Sequence, residues 1–159
     1  MTWEGFFTAE VGASAALAGL IFVGISINLQ RIVAVPTIAD RALQALLVLV
    51  GALGFESLLL VPNLTPLVQG VAILALTVAL WSALNWLELR GWQAMTKWPR
   101  TTHLAHSLEI QTPCLLAALG AGFLLASSPS ALYWFVAATL TSFLLAIVEA
   151  WVITVEIVR

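Results

Sequence analysis

The chain has 159 residues, of which 62% are hydrophobic and only 9% are charged, whereas soluble domains carry about 45–50% apolar and about 25% charged residues. A mean hydropathy of +1.05 indicates a membrane protein, and a net charge of −2 without a basic patch excludes the usual signature of nucleic-acid binding. The single cysteine, Cys114, excludes a disulfide framework or a cysteine zinc site within one chain.

Five apolar stretches predict transmembrane helices, because each has the roughly 20 residues needed to cross about 30 Å of hydrocarbon. The predicted spans are 6–29, 42–61, 67–89, 103–126 and 131–155. Polar residues lower the hydropathy of the first half of the fourth span. The alternative for this half is an interfacial segment that leads into a shorter span. Turns rich in Pro, Asn and Ser join the second to the third span and the fourth to the fifth.

The predicted fold is therefore an all-α integral membrane protein, with residues 1–159 forming a single transmembrane domain. One N-terminal helix is followed by two helical hairpins. The N-terminal stretch lacks the positive n-region of a cleaved signal peptide, so we expect the first helix to be retained.

Charge determines the predicted orientation. With five spans, all six basic residues fall on one side of the membrane, and the short turns carry none. These residues are Arg31, Arg41, Arg90, Lys97, Arg100 and Arg159. Because cytoplasmic loops carry the excess of Lys and Arg, we predict an outside N-terminus and a cytoplasmic C-terminus in a multi-pass plasma-membrane protein.

The first span has one side composed mostly of small residues. At 100° per residue, Gly12, Ala15, Ala16, Gly19 and Ser26 share this side. Small residues let helices approach closely in lipid. We predict that this small-residue face packs either onto the hairpins of its own chain or onto a second copy.

Glu56 is the carboxylate that the sequence places deepest without a basic residue on its side of the membrane. A charge at a helix centre costs roughly 2.5–3.5 kcal/mol on insertion scales. Glu56 must therefore be protonated, hydrogen-bonded, in contact with water in a cavity, or bound to a cation. One interpretation is a cation or proton site. The other is a neutral side chain bonded to a nearby backbone group or to Ser57. Gly51 and Gly54 on the same helix allow a neighbouring helix to come close.

A second polar group lies near the predicted cytoplasmic side. Together with Glu56, its members are candidates for an ion pathway: Glu149, Glu88, Glu109, Asn85 and Asn28. Arg31 and Arg90 lie at a similar depth and are the expected partners of these carboxylates. The alternative interpretation is a set of interhelical hydrogen bonds and interfacial ion pairs.

The fourth span raises two further questions. His103, His106 and Glu109 are metal-ligand types, but their spacing of three drifts about 60° per step, which argues against one shared ion. We therefore predict no metal and no cofactor. Pro113 cannot donate to the carbonyl of Glu109 and is predicted to kink the helix. No nucleophile–base set or phosphate loop is present in the sequence, so we do not expect an enzyme.

The stretch FTAEVGASAALAGLIFVGISINLQ, residues 7–30, is followed directly by Arg31. It resembles the first helix of an uncharacterised bacterial family of small polytopic membrane proteins, in which a GAxAALxGLxFVxxSINL-type helix precedes an arginine. Some members of that family carry the label of membrane protease modulators. The resemblance implies a location in the bacterial inner membrane.

Two functions remain as hypotheses. The first is a pore or transporter for a cation or proton. It is expected to be a homo-oligomer, because the five helices of a single chain are few to surround a pathway. The second is a non-conducting accessory or regulatory subunit that binds a larger membrane protein partner through the small-residue face. In both cases the lipid bilayer is the expected environment.

Overall fold

A computed structural model describes the backbone of residues 2–94 and 100–158 and the side chains of residues 2–91 and 106–156. Within these ranges the secondary structure is helical, without strands. The helices are α1 (Trp3–Ile27), α2 (Leu29–Ala34), α3 (Pro36–Leu60), α4 (Pro66–Ala94), α5 (Arg100–Leu125) and α6 (Ala131–Val158). Five of these, all except α2, are long and apolar enough to cross a membrane. The predicted all-α bundle of five long apolar helices is therefore confirmed.

The main difference from the prediction lies between the first two spans. The short helix α2 was not predicted, and α3 begins at Pro36, six residues before the predicted start of the second span. Proline is well tolerated at the first helical position, where its missing N–H would have no helical partner. Val35, the residue before it, is extended with φ −122° and ψ 101°, as sterics before proline require. This early start places Arg41 inside α3.

Helix α5 runs without interruption through Pro113. The polar first half of the predicted fourth span is therefore helical from Arg100 onward, and the apolar part long enough to span is His106–Leu125. Pro113 itself is buried. The prolyl nitrogen has no hydrogen to donate to the previous turn.

Tight connections close the two hairpins. Asn63, between α3 and α4, has φ 61°, and Ser127, between α5 and α6, has φ 55°. Left-handed backbone is rare for non-glycine residues, but asparagine adopts it several times more often than most. We call the end of the bundle with these connections the turn end. The opposite end, which carries Arg31, Arg41 and Arg90, is called the basic end.

Helix α3 is the centre of the bundle and packs against α1, α4 and α6, while α5 packs between α4 and α6. Glycines make the close approaches. A Cβ added at Gly51 or Gly54 would lie 2.7 Å from the methyl groups of Leu80 or Leu76 on α4. A Cβ at Gly120 would lie 3.0 Å from the ring of Phe135. The expected close neighbour of Gly51 and Gly54 is thus α4.

Candidate functional site

Glu56 lies on α3 four residues before its end, near the turn end, and its side chain is 0% exposed. Two hydroxyl groups from other helices donate to its two carboxylate oxygens. Ser14 Oγ on α1 donates to Oε2 at 2.9 Å, and Thr139 Oγ1 on α6 donates to Oε1 at 2.6 Å. We call Glu56, Ser14 and Thr139 the turn-end site. It ties three helices together through one side chain.

The predicted local partner of Glu56 is wrong. Ser57 is exposed, because successive residues of a helix point about 100° apart. The partners come instead from helices that are 42 and 83 residues away in sequence. Serine and threonine hydroxyls within a helix commonly donate to a backbone carbonyl three or four residues earlier. The hydroxyls of Ser14 and Thr139 donate to the carboxylate of Glu56 instead.

A second carboxylate lies close to the turn-end site. Glu10 precedes Ser14 by one turn of α1. One of its oxygens, Oε2, is buried and has no hydrogen-bond partner among the described groups. The ion pairs formed by the described side chains include neither Glu56 nor Glu10. The turn-end site is therefore built from carboxylate and hydroxyl oxygens.

Glu149 is the centre of a different arrangement at the basic end. Arg41 on α3 binds it with two nitrogens, Nε at 2.8 Å from Oε2 and Nη2 at 3.2 Å from Oε1. Such a bidentate geometry is the strongest ion pair that proteins make. Arg41 Nη1 also lies 3.6 Å from Glu156 on the same helix as Glu149. The expectation that Arg31 or Arg90 would pair with these carboxylates is wrong.

The two expected partners lie elsewhere. Arg31 is exposed on α2. The guanidinium of Arg90 lies 4.6 Å from the centre of the Trp86 ring, a cation–π contact on the outside of the bundle. Arg41 takes their place because α3 begins early enough to place it one turn inside the helix, facing α6.

His106 on α5 extends this arrangement to α4. Its Nδ1 lies 3.4 Å from Oε1 of Glu149, and its Nε2 lies 3.8 Å from Oε1 of Glu88. Ser107 donates its hydroxyl to the other oxygen of Glu88, whereas Oε1 of Glu88 is buried without a hydrogen-bond partner in the described part of the chain. We call Arg41, Glu88, His106, Glu149 and Glu156 the basic-end cluster. It joins α3, α4, α5 and α6.

The remaining pathway candidates do not join either group. Asn85 accepts from Gln111 Nε2 at 3.2 Å and donates to the carbonyl of Trp81 at 2.7 Å, which links α4 to α5. Asn28 donates to the carbonyl of Gly24 at 3.1 Å and ends α1. Glu109 is exposed on α5. Asn85 and Asn28 therefore make the interhelical and local hydrogen bonds of the alternative interpretation.

A small pocket lies between the turn-end site and the basic-end cluster. Its volume is about 20 Å³, and it is lined mainly by apolar residues of α3, α4 and α5, together with Thr77 of α4 and Ser142 of α6. A cavity needs about 10–15 Å³ of this kind to hold a water molecule. Ser142 follows Thr139 by one turn and precedes Glu149 by two turns on the buried side of α6.

The small-residue face of α1 does not pack onto the chain's own hairpins. Its five residues are exposed, and a Cβ added at Gly12 or Gly19 would meet no described atom within 4 Å. Helix α1 contacts the bundle instead through Phe7, Ser14 and Ile21, which recur every seven residues on another side. Of the two predicted uses of the small-residue face, packing within the chain is therefore wrong.

The predicted absence of a metal site can be examined only in part. The side chain of His103 lies outside the described residues. Among those that are described, no group of three or more His, Cys, Asp and Glu side chains is placed to hold a metal ion. His106 faces Glu149 and Glu88, and the exposed Glu109 on the same helix takes no part in that contact.

Comparisons of the chain with family models, curated proteins and solved structures found no match. The resemblance of the first helix to a bacterial membrane-protein family stays a prediction. Function must be argued from the geometry.

Proposed function

We propose that the protein moves a proton or a small cation across the membrane as a homo-oligomer. The observation that carries this proposal is Glu56, a fully buried carboxyl group whose partners at the turn end are hydroxyls. An ionisable group inside a membrane bundle is costly and usually marks an ion or proton route. A purely structural crosslink of the same shape needs no ionisable group, since glutamine would accept one of these hydrogen bonds with its oxygen and offer its amide to the other hydroxyl.

The oxygen-only chemistry of the turn-end site suits such a ligand. Both protons and hard metal cations bind to carboxylate and hydroxyl oxygens. The buried, unpartnered oxygen of Glu10 adds a further acceptor one turn away. In the absence of a paired arginine, a proton or cation at Glu56 would supply the compensating charge that burial requires.

The route from the turn-end site toward the opposite end is supported by the polar residues of α6. Thr139, Ser142 and Glu149 lie on its buried side. At 1.5 Å per residue they span about 15 Å of helix, half the thickness of the hydrocarbon core. The pocket at Ser142 and Thr77 holds about one water-sized volume between the two polar groups.

The pocket at the turn end supports access from that side. Its volume is about 320 Å³, and Trp3, Glu4, Phe7 and the last residues of α3 line it. Phe7, at its base, is one turn of α1 before Glu10 and two turns before Ser14. With the predicted orientation, this pocket opens to the outside of the cell and the basic-end cluster faces the cytoplasm.

Flux across liposomes tests the proposal. The purified protein is reconstituted, and H⁺, Na⁺ and K⁺ movements are recorded with ion-sensitive dyes under an imposed potential. We expect flux of one of these ions, and a decrease of about tenfold or more in Glu56→Gln, which keeps the shape and loses the ionisable group. The control is Glu109→Gln, an exposed carboxylate on α5 that belongs to neither the turn-end site nor the basic-end cluster. Absence of flux for all three ions, or equal flux in Glu56→Gln and wild type, would contradict the proposal.

The exposed small-residue face supports a second candidate, the accessory subunit. Gly12, Ala15, Ala16 and Gly19 offer the close approach that membrane helices use for association, and the face is free in one chain. Substituting leucine at Gly12 and Ala16 together blocks that approach. Cross-linking in native membranes separates the two candidates. Loss of a self-adduct in the leucine variant favours the homo-oligomer, and loss of an adduct with a larger membrane protein favours the accessory subunit.

A further inference from the structure

The basic-end cluster contains two largely buried carboxylates, Glu149 and Glu88, and one arginine to pair with them. Arg41 is bound by both oxygens of Glu149. Its remaining contact at 3.6 Å is to Glu156, whose side chain is 35% exposed and therefore reaches water. Glu88 has a side chain only 9% exposed and shares no contact with Arg41. The only titratable side chain described beside Glu88 is His106.

The geometry of His106 distinguishes its two ring nitrogens. Nδ1 faces Glu149, which Arg41 holds in place and keeps as an acceptor. An N–H at Nδ1 is thus favoured, and the neutral ring then carries its lone pair on Nε2. Nε2 faces Oε1 of Glu88, the buried oxygen without a partner. Their 3.8 Å separation exceeds a hydrogen bond by about 0.6–1 Å, a gap that a small shift of either side chain closes.

We propose that Nε2 of His106 and Oε1 of Glu88 form a proton-binding site, and that the ion moved by the protein is the proton. The second half of this inference rests on the proposed transport function, while the first half does not. Glu149 and Arg41 are positioning residues, because they fix the ring without exchanging the proton themselves.

The proton transfer is balanced within the pair. A neutral Glu88 carboxylic acid gives its proton to the lone pair of Nε2, which leaves a carboxylate beside an imidazolium. The reverse step restores the acid and the neutral ring. The Nδ1 proton stays on the ring, on the side that faces Glu149, so the ring needs no change of tautomer. Exchange with water occurs through the exposed edge of His106, which is 26% accessible.

The charged groups around the pair come from two other helices, α3 and α6. Glu88 faces the ring from α4, Glu149 and Glu156 lie on α6, and Arg41 lies on α3. With the Arg41–Glu149 pair neutral, the Glu88–His106 pair is neutral with one proton and carries a buried negative charge without it. Burial of an unpaired charge is the costlier state, so loss of the proton must be coupled to another event, such as arrival of the next one.

Nitrogen NMR of the wild-type protein tests the site without measuring transport. Histidine is labelled with ¹⁵N in both ring positions, and His103→Gln assigns the signals of His106. We expect an N–H at Nδ1 and a proton shared between Nε2 and Oε1 of Glu88, seen as an Nε2 signal between those of a bare and a protonated nitrogen. A ring with Nε2 always protonated, or with Nδ1 bare, overturns the site.

Flux through liposomes tests the identity of the ion. We expect H⁺ flux without Na⁺ or K⁺ flux in the wild type, and a decrease of about tenfold or more in Glu88→Gln, which still accepts from Ser107 but holds no exchangeable proton. His106→Gln should have the same effect. The matched control is Asp40→Asn, a half-buried carboxylate at the same end with no ion pair in the described contacts. Thermal unfolding of each variant shows whether it folds, and the wild-type NMR result holds whether or not they do.

The outcomes separate the two proposals. A proton shared at Nε2 without any ion flux supports the proton site and overturns the transport function. Flux of Na⁺ or K⁺ without a shared proton at Nε2 supports the transport function and overturns the proton site. Proton flux that is unchanged in folded Glu88→Gln and His106→Gln overturns the assignment of the proton route to this pair.

Discussion

The two ends of the bundle bury carboxylates in opposite ways. At the turn end, Glu56 is held by two neutral hydroxyls, from Ser14 and Thr139. At the basic end, Glu149 is held by a bidentate arginine and faces a histidine. Both side chains are almost fully buried, at 0% and 4% exposure. The same residue type is therefore stabilised once by hydrogen bonds alone and once by opposite charge.

The difference has an energetic consequence. Neutral hydrogen bonds are each worth about 0.5–1.5 kcal/mol net, and interhelical ones in membranes average about 0.6 kcal/mol. Breaking a buried ion pair by removing one partner costs about 3–5 kcal/mol, because an uncompensated charge remains. Neutralising a carboxylate should thus be tolerated at the turn end and harmful at the basic end.

The largest effect is expected for Arg41→Met. The substitution leaves Glu149 buried without its arginine, so the free energy of unfolding should decrease by about 3 kcal/mol or more. Unfolding is measured by SDS titration in mixed micelles, followed by circular dichroism. Arg31→Met, a substitution of an exposed arginine, is the control and should change stability by less than about 0.5 kcal/mol.

A double variant shows whether the loss comes from the stranded charge. Arg41→Met combined with Glu149→Met replaces the pair by apolar side chains of similar volume, and such replacements are often neutral. The double variant should therefore recover most of the stability lost in Arg41→Met. Equal instability of the single and double variants would show that Arg41 acts by packing rather than by charge.

The comparison between the two ends is tested directly by one substitution made at both. Glu149→Gln strands Arg41, whose remaining contact is the half-exposed Glu156, and should cost about 2 kcal/mol or more. Glu56→Gln keeps an oxygen for one hydroxyl and offers its amide to the other, and should cost less than about 1 kcal/mol. The two are compared in the same SDS titration. Equal losses would mean that Glu56 is held as an anion and that the contrast between the ends is wrong.

How well the sequence predicts a contact in this structure depends on how far apart the two residues are along the chain. The five long helices follow from apolar length, which is a local property. The predicted second span begins at residue 42, six residues after the start of α3, although proline fits the first turn of a helix. Arg41 therefore lies outside the predicted span, and its pairing with Glu149, 108 residues away, does not follow from the sequence.

The partners of Glu56 were missed for a related reason. Hydropathy finds helices but does not say which ones touch, and Ser14 and Thr139 belong to the first and last of them. Two signals were available. Ser14 falls on the seven-residue repeat of Phe7 and Ile21, and the polar residues of α6 share one side. The small-residue face, by contrast, lies on the side of α1 that faces away from the bundle.

The smallest expected effects are those of the two hydroxyl donors at the turn end. Thr139→Val and Ser14→Ala each remove one hydrogen bond to Glu56, and each should lower the free energy of unfolding by about 0.5–1 kcal/mol. Ser57→Ala, next to Glu56 in sequence but exposed, is the matched control and should have no measurable effect.

The decisive measurement is the double-mutant cycle of Thr139→Val with Glu56→Gln. If Glu56 accepts as an anion, the hydroxyl matters more to Glu than to Gln, and the cycle gives a coupling energy. If Glu56 is neutral, glutamine replaces it almost equivalently and the coupling is near zero. The outcome therefore decides whether Glu56 carries a proton in the resting protein or accepts the two hydroxyls as an anion.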